Sequence, residues 1–143
     1  MPKIVIVVSE FNSLITNKLL EGVLEEAQKL CVETPKIYKV PGAVELAFVA
    51  KQLAKTKKYD AIILLGCVIR GQTDHYDYVC MQVSQATQHV MMTYDLPVIF
   101  GVLTTHSKEQ ALARAGGEKG HKGKYALKAA VDMINLQKEI SKE

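Results

Sequence analysis

Two long runs of apolar, mostly β-branched residues restrict the possible folds of this chain more than any other feature. Lys3 to Val8 reads KIVIVV, and Ala61 to Val68 reads AIILLGCV. Because these runs do not alternate between apolar and polar residues, each is typical of a strand that is covered on both faces. Such strands belong to parallel sheets, in which the crossover connections place helices on both sides.

Helical periodicity fills the intervals between the strands. Two weaker strands are predicted at 35–40 and 98–103. Apolar residues recur at helical spacing over 14–30, 44–53, 76–94 and 125–140, and Ser107 and Gln110 have the spacing of a capping box at the start of a further helix. Strands that alternate with helices predict an α/β fold with a four-stranded parallel sheet, right-handed crossovers and helices on both faces.

Composition limits the class of protein. A chain of 143 residues with 48% hydrophobic residues fits one domain over 1–143. The 18 basic and 15 acidic residues are spread along the chain, without the basic stripe of a nucleic-acid-binding protein. The sequence therefore predicts no nucleic-acid partner and favours a small anionic ligand.

Cysteine usage and hydropathy indicate the compartment. Cys31, Cys67 and Cys80 are odd in number and form no CxxC pair, so neither a disulfide framework nor a metal site is predicted. The first apolar run is too short and too β-branched for a signal peptide, and no later run approaches a membrane span. We expect a cytoplasmic protein that does not interact with membranes.

Most of the unusual residues lie where the predicted strands end. In a parallel α/β sheet, ligands bind in the crevice beyond the carboxyl ends of the strands. The segments predicted at that edge are 9–13, 40–45, 66–78 and 103–106. We therefore expect a ligand site at these four segments and at residues that reach them.

The segment 65–78, LGCVIRGQTDHYDY, is the densest polar stretch. Gly71 permits close approach of the backbone to a ligand, and Gln72 and Thr73 offer donors at a helix N-terminus, where an anion such as phosphate is favoured. His75 follows in the first turn, and imidazole is the usual proton shuttle near neutral pH. The alternative is an ordinary capped turn, with Thr73 or Asp74 as N-cap and His75 as a hydrogen-bonding residue.

Two other segments at this edge offer ligand contacts. The N–H groups of Ala43, Val44 and Glu45 are available to ligand hydroxyls at a helix start, although Glu45 is also explained by its favourable interaction with the helix dipole. Phe11 presents an aromatic face just after the first strand, although a phenylalanine there is more often part of the core.

Arg114 and Lys122 bracket a glycine-rich segment. Arginine matches the oxygens of a phosphate with a fork of donors, so one or both residues are candidates for phosphate binding. The alternative is a solvated basic loop in which Gly116 ends the preceding helix. His121 is placed in this flexible-looking loop and is given no role.

These segments together resemble the lumazine synthase family, from Ile4 to about Asn135. The matching motifs follow one another in the family's order and spacing: FN at 11–12, VPGAVEL at 40–46, LGCVIRGQTDHYDYV at 65–79, PVIFGVLTT at 97–105, EQA at 109–111 and RAG at 114–116. The resemblance implies a flavodoxin-like three-layer α/β/α domain that condenses a ribitylamino-pyrimidine with a four-carbon ketone phosphate. It also implies a homopentamer with sites shared between neighbouring subunits, no cofactor or metal, and riboflavin synthase as a possible pathway partner.

The resemblance assigns roles to the candidate residues of one subunit. Phe11 would stack on the pyrimidine, and residues 43–45 would hold the ribityl chain. His75 would transfer protons, and Gln72 and Thr73 would bind the phosphate. The ring edge would be read by the backbone of Cys67, Val68 and Ile69. The neighbouring subunit would add Arg114 to the phosphate site and Phe100 over the ring.

Three positions depart from the family pattern. Gln72 stands where a small residue is usual, and Asp74 stands beside His75 where a small residue or proline is common. The family has a glutamate three residues after the lysine that matches Lys122, and here that residue is Tyr125. We count Lys122 among the substrate-binding residues, but an ion pair with that carboxylate is not expected here.

The sequence leaves two alternatives to a pentameric enzyme. One is a flavin- or phosphate-binding module, although no Ser/Thr-rich phosphate loop follows the first strand. The other is a hollow capsid of twelve pentamers, which would add to catalysis rather than replace it. Only Met1 and Pro2 precede the first strand, which favours a free pentamer, whereas residues 116–123 lack an insertion common in pentamer-only relatives. We expect the pentamer.

Overall fold

A four-stranded, all-parallel sheet forms the centre of the computed structural model, which describes all 143 residues. The strand order is β2-β1-β3-β4, so β2 and β4 are the edges. The strands are β1 (Ile4–Ser9), β2 (Lys36–Val40), β3 (Ala61–Ile69) and β4 (Val98–Thr105). The predicted parallel sheet is confirmed.

Five helices cover both faces of the sheet. They are α1 (Ser13–Lys29), α2 (Leu46–Lys55), α3 (His75–Tyr94), α4 (Lys108–Ala113) and α5 (Lys122–Ser141). Helices α1 and α5 pack together on one face, and α2 and α3 pack together on the other. This arrangement confirms a flavodoxin-like three-layer fold. No helix combines the length and the apolar character needed to cross a membrane.

The apolar runs are buried because each strand supplies both cores. Ile6 of β1 and Ile63 of β3 pack in the core under α1 and α5, whereas their neighbours Val5 and Ile62 pack under α2 and α3. Successive side chains of a strand point to opposite faces, so a strand covered on both sides must be apolar at every position. All six residues of β1 are accordingly buried.

Several element boundaries differ from the sequence predictions. Strand β4 continues to Thr105, two residues beyond the predicted end, and α5 begins at Lys122 rather than Tyr125. A short 3-10 turn, Ala43–Glu45, precedes α2. Ser107 is the N-cap of α4, and its Oγ accepts from the Gln110 N–H at 3.1 Å. Gln110 Oε1 accepts from the His106 N–H at 2.8 Å and not from the Ser107 N–H, so only half of the capping box is confirmed.

The glycine-rich segment after α4 forms a small antiparallel hairpin, so its interpretation as a loop was wrong. Its strands are β5 (Ala115–Gly117) and β6 (Gly120–His121). Gly116 and Gly120 have φ values of 102° and 94°, a left-handed region that L side chains rarely adopt. The glycines therefore permit the hairpin to turn, and the helix that Gly116 was expected to end already ends at Ala113.

Candidate active site

A cleft of about 340 Å³ lies at the carboxyl edge of the sheet. The loop after β1, the 3-10 turn, the end of β3 and the start of α3 line it. The structure thus brings together most of the residues that the sequence predicted for one half of the site. These are Phe11, Ala43, Val44, Cys67, Val68, Ile69, Thr73 and His75.

Phe11 and Asn12 together connect three walls of this cleft. Asn12 lies in the left-handed region (φ 62°), which asparagine tolerates better than most residues, and its Nδ2 donates to the Cys67 carbonyl oxygen at 2.8 Å. The adjacent Phe11 N–H donates to the Pro41 carbonyl oxygen at 3.0 Å. These bonds leave the Phe11 ring 71% exposed, available to a ligand face.

His75 occupies the first position of α3, with an exposed side chain at the mouth of the cleft. The backbone N–H of His75 donates to Thr73 Oγ1 at 3.3 Å. Asp74 has the N-cap position but makes no side-chain capping bond, so Thr73 supplies the polar contact at this helix start. The imidazole is therefore held at a defined place by backbone structure and remains accessible to a ligand.

Contacts among Arg70, Tyr76, Asp77 and His106 hold the loop between β3 and α3. Arg70 Nη1 contacts Asp77 Oδ1 at 3.2 Å, and the Arg70 guanidinium carbon lies 5.4 Å from the centroid of the Tyr76 ring. The His106 ring meets Tyr76 edge-on at 5.9 Å. Because these exposed contacts are individually weak, we expect them to limit the movement of residues 70–74 rather than to stabilise the fold.

Cys67 contributes its backbone rather than its thiol. The side chain is only 3% exposed, and burial raises its pKa to about 11. The thiol therefore stays protonated at neutral pH and is a poor nucleophile. Its peptide group, at the end of β3, faces the cleft and accepts the bond from Asn12.

A second cleft, of about 420 Å³, contains Arg114 and Lys122 and is separate from the first. Arg114 Nη1 donates to the Gln110 carbonyl oxygen at 2.9 Å, and the Lys122 N–H donates to the Arg114 carbonyl oxygen at 2.8 Å. Lys119 adds a third cation to its lining. This concentration of positive charge suits an anionic ligand.

Three predicted residues line neither cleft. Glu45 ends the 3-10 turn and is exposed, and Gln72 is exposed in the loop before α3. Phe100 lies on the edge strand β4, half-buried against the core under α2 and α3. Within one chain, therefore, Phe100, Arg114 and Lys122 do not share the cleft of His75.

The sequence prediction missed several residues that line the clefts. Tyr76 and Val79 line the first cleft. The sequence contained a signal for them, because helical spacing places Val79 on the same face as His75 and Tyr76. Asn12 was noted with Phe11 but was given no contact. Thr104 and Gln110 line the second cleft, but the sequence analysis treated Gln110 only as a helix-capping residue and gave neither residue a ligand contact.

The fold and the clefts define an α/β protein of the flavodoxin-like layered class, with its ligand-binding edge at the carboxyl ends of the parallel strands. Comparison with known proteins narrows the class. Residues 1–138 match the family model described as 6,7-dimethyl-8-ribityllumazine synthase. The chain belongs to this family, whose members are enzymes of riboflavin biosynthesis.

Individual relatives support the same assignment. A protein of Coxiella burnetii (strain Dugway 5J108-111) named 6,7-dimethyl-8-ribityllumazine synthase is 58% identical over 140 residues, which cover 96% of this chain and 93% of the relative. Proteins of the same name from the strains CbuG_Q212 and RSA 493 / Nine Mile phase I are each 57% identical over the same shares. The match extends through both clefts.

Proposed function

We propose that the chain, as one domain over residues 1–143, condenses 5-amino-6-(D-ribitylamino)uracil with 3,4-dihydroxy-2-butanone 4-phosphate to give 6,7-dimethyl-8-ribityllumazine. The observation that carries the proposal is the convergence of Phe11, Ala43 and Val44, the end of β3 and His75 at one edge of the sheet, in a chain of this family. The product is the precursor of riboflavin, which makes riboflavin synthase a pathway partner and the cytoplasm the expected location.

The first cleft suits the pyrimidine substrate. Phe11 offers an exposed aromatic face for stacking, and the backbone of Cys67, Val68 and Ile69 offers donors and acceptors to the ring edge. The N–H groups of Ala43 and Val44 bind the ribityl hydroxyls, whereas the Glu45 N–H donates to the Gly42 carbonyl oxygen at 3.2 Å within the turn. Peptide groups at the end of a rigid strand hold a ring in a fixed register, which is the main requirement of a condensation between two bound molecules.

The reaction consists of steps that move protons. The pyrimidine amine attacks the ketone carbonyl, water leaves as the Schiff base forms, phosphate is eliminated, and the second amine closes the ring on the remaining carbonyl with loss of water. His75 transfers protons in these steps, since imidazole gives and takes a proton near neutral pH. Gln72 and Thr73, at the N-terminus of α3, bind the leaving phosphate together with cationic side chains.

Those cationic side chains come from a neighbouring subunit. Arg114 and Lys122 lie in a separate cleft of their own chain, so they complete the site only if the second cleft of one subunit faces the first cleft of the next. Phe100, on edge strand β4, closes over the ring in the same way. We propose a homopentamer, in which each of five sites is built at an interface.

Exposed apolar side chains support an oligomer. Phe48 on α2 and Tyr78, Met81 and Met92 on α3 are each more than half exposed in the single chain. Tyr125 and Ile140 of α5 are also more than half exposed, and large apolar side chains exposed on helices are candidates for a contact surface. The short segment before β1 favours a free pentamer, whereas the lack of an insertion at 116–123 favours a capsid. Sedimentation of the purified protein distinguishes the two assemblies.

The direct test is turnover. The purified protein is mixed with both substrates, and the absorbance of the lumazine product is followed for the wild type, His75→Asn and His89→Asn. His89 is an exposed histidine of α3 that lines neither cleft, which makes it a matched control. We expect kcat to fall by roughly 10²-fold in His75→Asn only. A wild type that binds a flavin but forms no product would contradict the proposed function.

A further inference from the structure

The His121 ring is tightly packed between α1 and the start of α5. A Cβ added at Gly22 of α1 would overlap the His121 ring, and one at Gly123 of α5 would lie 3.0 Å from its Cε1 atom. A Cβ at Gly116 of the hairpin would lie 3.2 Å from its Cδ2 atom. The ring is therefore held by three elements, in a space that exists because three glycines surround it.

The same ring caps helix α5. His121 has the N-cap position with extended backbone angles (φ −134°, ψ 101°), and its Nδ1 accepts from the N–H groups of Gly123 at 3.1 Å and Lys124 at 3.4 Å. The first N–H groups of a helix have no partner within the helix, so a side-chain acceptor at the N-cap fixes where the helix begins. Only a ring with an unprotonated Nδ1 can accept these bonds.

The capped helix end carries the cations of the second cleft. Lys122 is the next residue after the cap, and its N–H donates to the Arg114 carbonyl oxygen at 2.8 Å. The hairpin pairs Ala115 with His121, so Arg114 and Lys122 lie side by side at its open end. A movement of the His121 ring therefore changes the positions of both cations relative to each other.

We propose that His121 is a positioning residue for the phosphate-binding half of the site. By capping α5 with Nδ1 and filling the space between α1 and the hairpin, it holds Lys122 and Arg114 in the geometry that receives the phosphate of the second substrate. This role rests on the proposed function and adds to it a residue that does not itself contact the substrate.

Protonation of His121 removes this cap. Burial and then the positive charge of Lys124 lower the pKa of His121, while Glu25 and the Lys18 carbonyl act in the opposite direction. Lys124 Nζ is itself paired with Glu25 Oε2 at 3.4 Å. The titratable side chains that share the cleft of the ring are Lys18, Glu21 and Glu25 of α1 and Lys124 and Tyr125 of α5; the hairpin contributes only alanine and glycine.

The sign of the pH dependence follows from the lowered pKa. Because folding favours the neutral ring, the cap is fully present above the unfolded pKa of about 6.5 and is lost as the pH falls through the lower, folded value. A protonated ring would leave two N–H groups without an acceptor and would place a positive charge at the positive end of the helix dipole. Phosphate binding should therefore weaken on the acidic side of neutrality.

The test compares His121→Ala, His121→Asn and the wild type between about pH 5 and about pH 8, through KM for the ketone phosphate and kcat. Asparagine keeps an N-cap acceptor and does not titrate. At about pH 8 we expect KM to rise about five-fold in His121→Ala with little change in kcat, and to be restored in His121→Asn. As the pH falls, KM of the wild type should rise more steeply than that of His121→Asn, because the two proteins differ only at residue 121.

Two results would overturn the role of His121. One is an unchanged KM in His121→Ala; the other is superimposable pH profiles of the wild type and His121→Asn. A Lys122→Met background adds a third test, because the effect of His121→Ala should shrink there if it acts through Lys122, and an undiminished effect would contradict the proposal.

Calorimetry with inorganic phosphate separates this proposal from the proposed function. Weaker binding of phosphate by His121→Ala, restored in His121→Asn, is expected without any turnover. If the wild type forms no product, the proposed function fails while the calorimetry still tests His121. If the wild type turns over but all three proteins bind phosphate equally, only the role of His121 is wrong.

Discussion

At Gly123, α5 packs closely on the backbone of α1, so Gly123→Ala is a direct test of that packing. The residue is buried, and a Cβ there would overlap the Leu19 carbonyl oxygen of α1 and lie 3.0 Å from the His121 ring. The obstructing oxygen belongs to the helix backbone, which cannot rotate away as a side chain does. Helix α1 or α5 must therefore shift to admit the methyl group.

The expected cost is the difference between two effects. Overpacking of a close-packed site costs about 3 kcal/mol at the upper end of its usual range, which a backbone obstruction warrants. Alanine is favoured over glycine within a helix by about 1 kcal/mol. The free energy of unfolding should therefore fall by about 2 kcal/mol, which lowers the urea midpoint by about 1 M for an m-value of about 2 kcal/mol/M.

Urea unfolding followed by circular dichroism measures this loss, with all variants at one protein concentration because an oligomer's midpoint depends on it. Gly71→Ala is the matched control, since a Cβ there has no atom within 4 Å and the backbone is not left-handed. We expect the control to be unchanged or slightly more stable. A Gly123→Ala midpoint equal to that of Gly71→Ala would refute the close packing of α1 and α5.

Two further predictions concern single side chains. Ellman's reagent should label exposed Cys31 rapidly and leave buried Cys67 unlabelled until the protein is denatured, because burial raises the pKa of Cys67 to about 11. Cys67→Ser is the control, and its rapid labelling should equal that of the wild type. Ser107→Ala should lower the free energy of unfolding by about 1 kcal/mol through loss of the α4 cap, and Ser107→Asp should restore it; equal midpoints for all three proteins would contradict the capping role.

The layered fold was predictable because strong local signals agree with it. The runs at 3–8 and 61–68 lack alternation, and the structure buries them on both faces for that reason. Ser107 and Gln110 marked the start of α4, where Ser107 Oγ caps the Gln110 N–H. The sequence is therefore sufficient to predict a structural element when the signal for it lies within a few neighbouring residues.

The segment from Arg114 to His121 was not predictable in the same way. Its strands contain only two or three residues, too few for any periodicity, and its glycines indicate a loop as readily as a hairpin. Histidine is not among the preferred N-cap residues, so nothing marked His121 as the start of α5. Its role depends on glycines of α1 and the hairpin that become its neighbours only in the folded chain.

The division of the site between two clefts also could not be predicted from the local sequence. Motif order places His75 and Arg114 in one family pattern, but only the three-dimensional arrangement places them in separate clefts of a single chain. That separation is a property of the crossovers, which carry α3 and α4 to opposite faces of the sheet. It is the basis for assigning Arg114 to a neighbouring subunit.

Complementation between two inactive variants tests the shared site most directly. His75→Ala lacks the proton-transfer residue of the first cleft, and Arg114→Ala lacks a cation of the second. If each site takes one cleft from each of two neighbours, random co-assembly in equal amounts leaves about a quarter of the sites with both halves intact. We predict that the two variants, co-expressed with different tags and purified through both, recover about a quarter of wild-type turnover. A mixed assembly no more active than the separate variants would contradict the account.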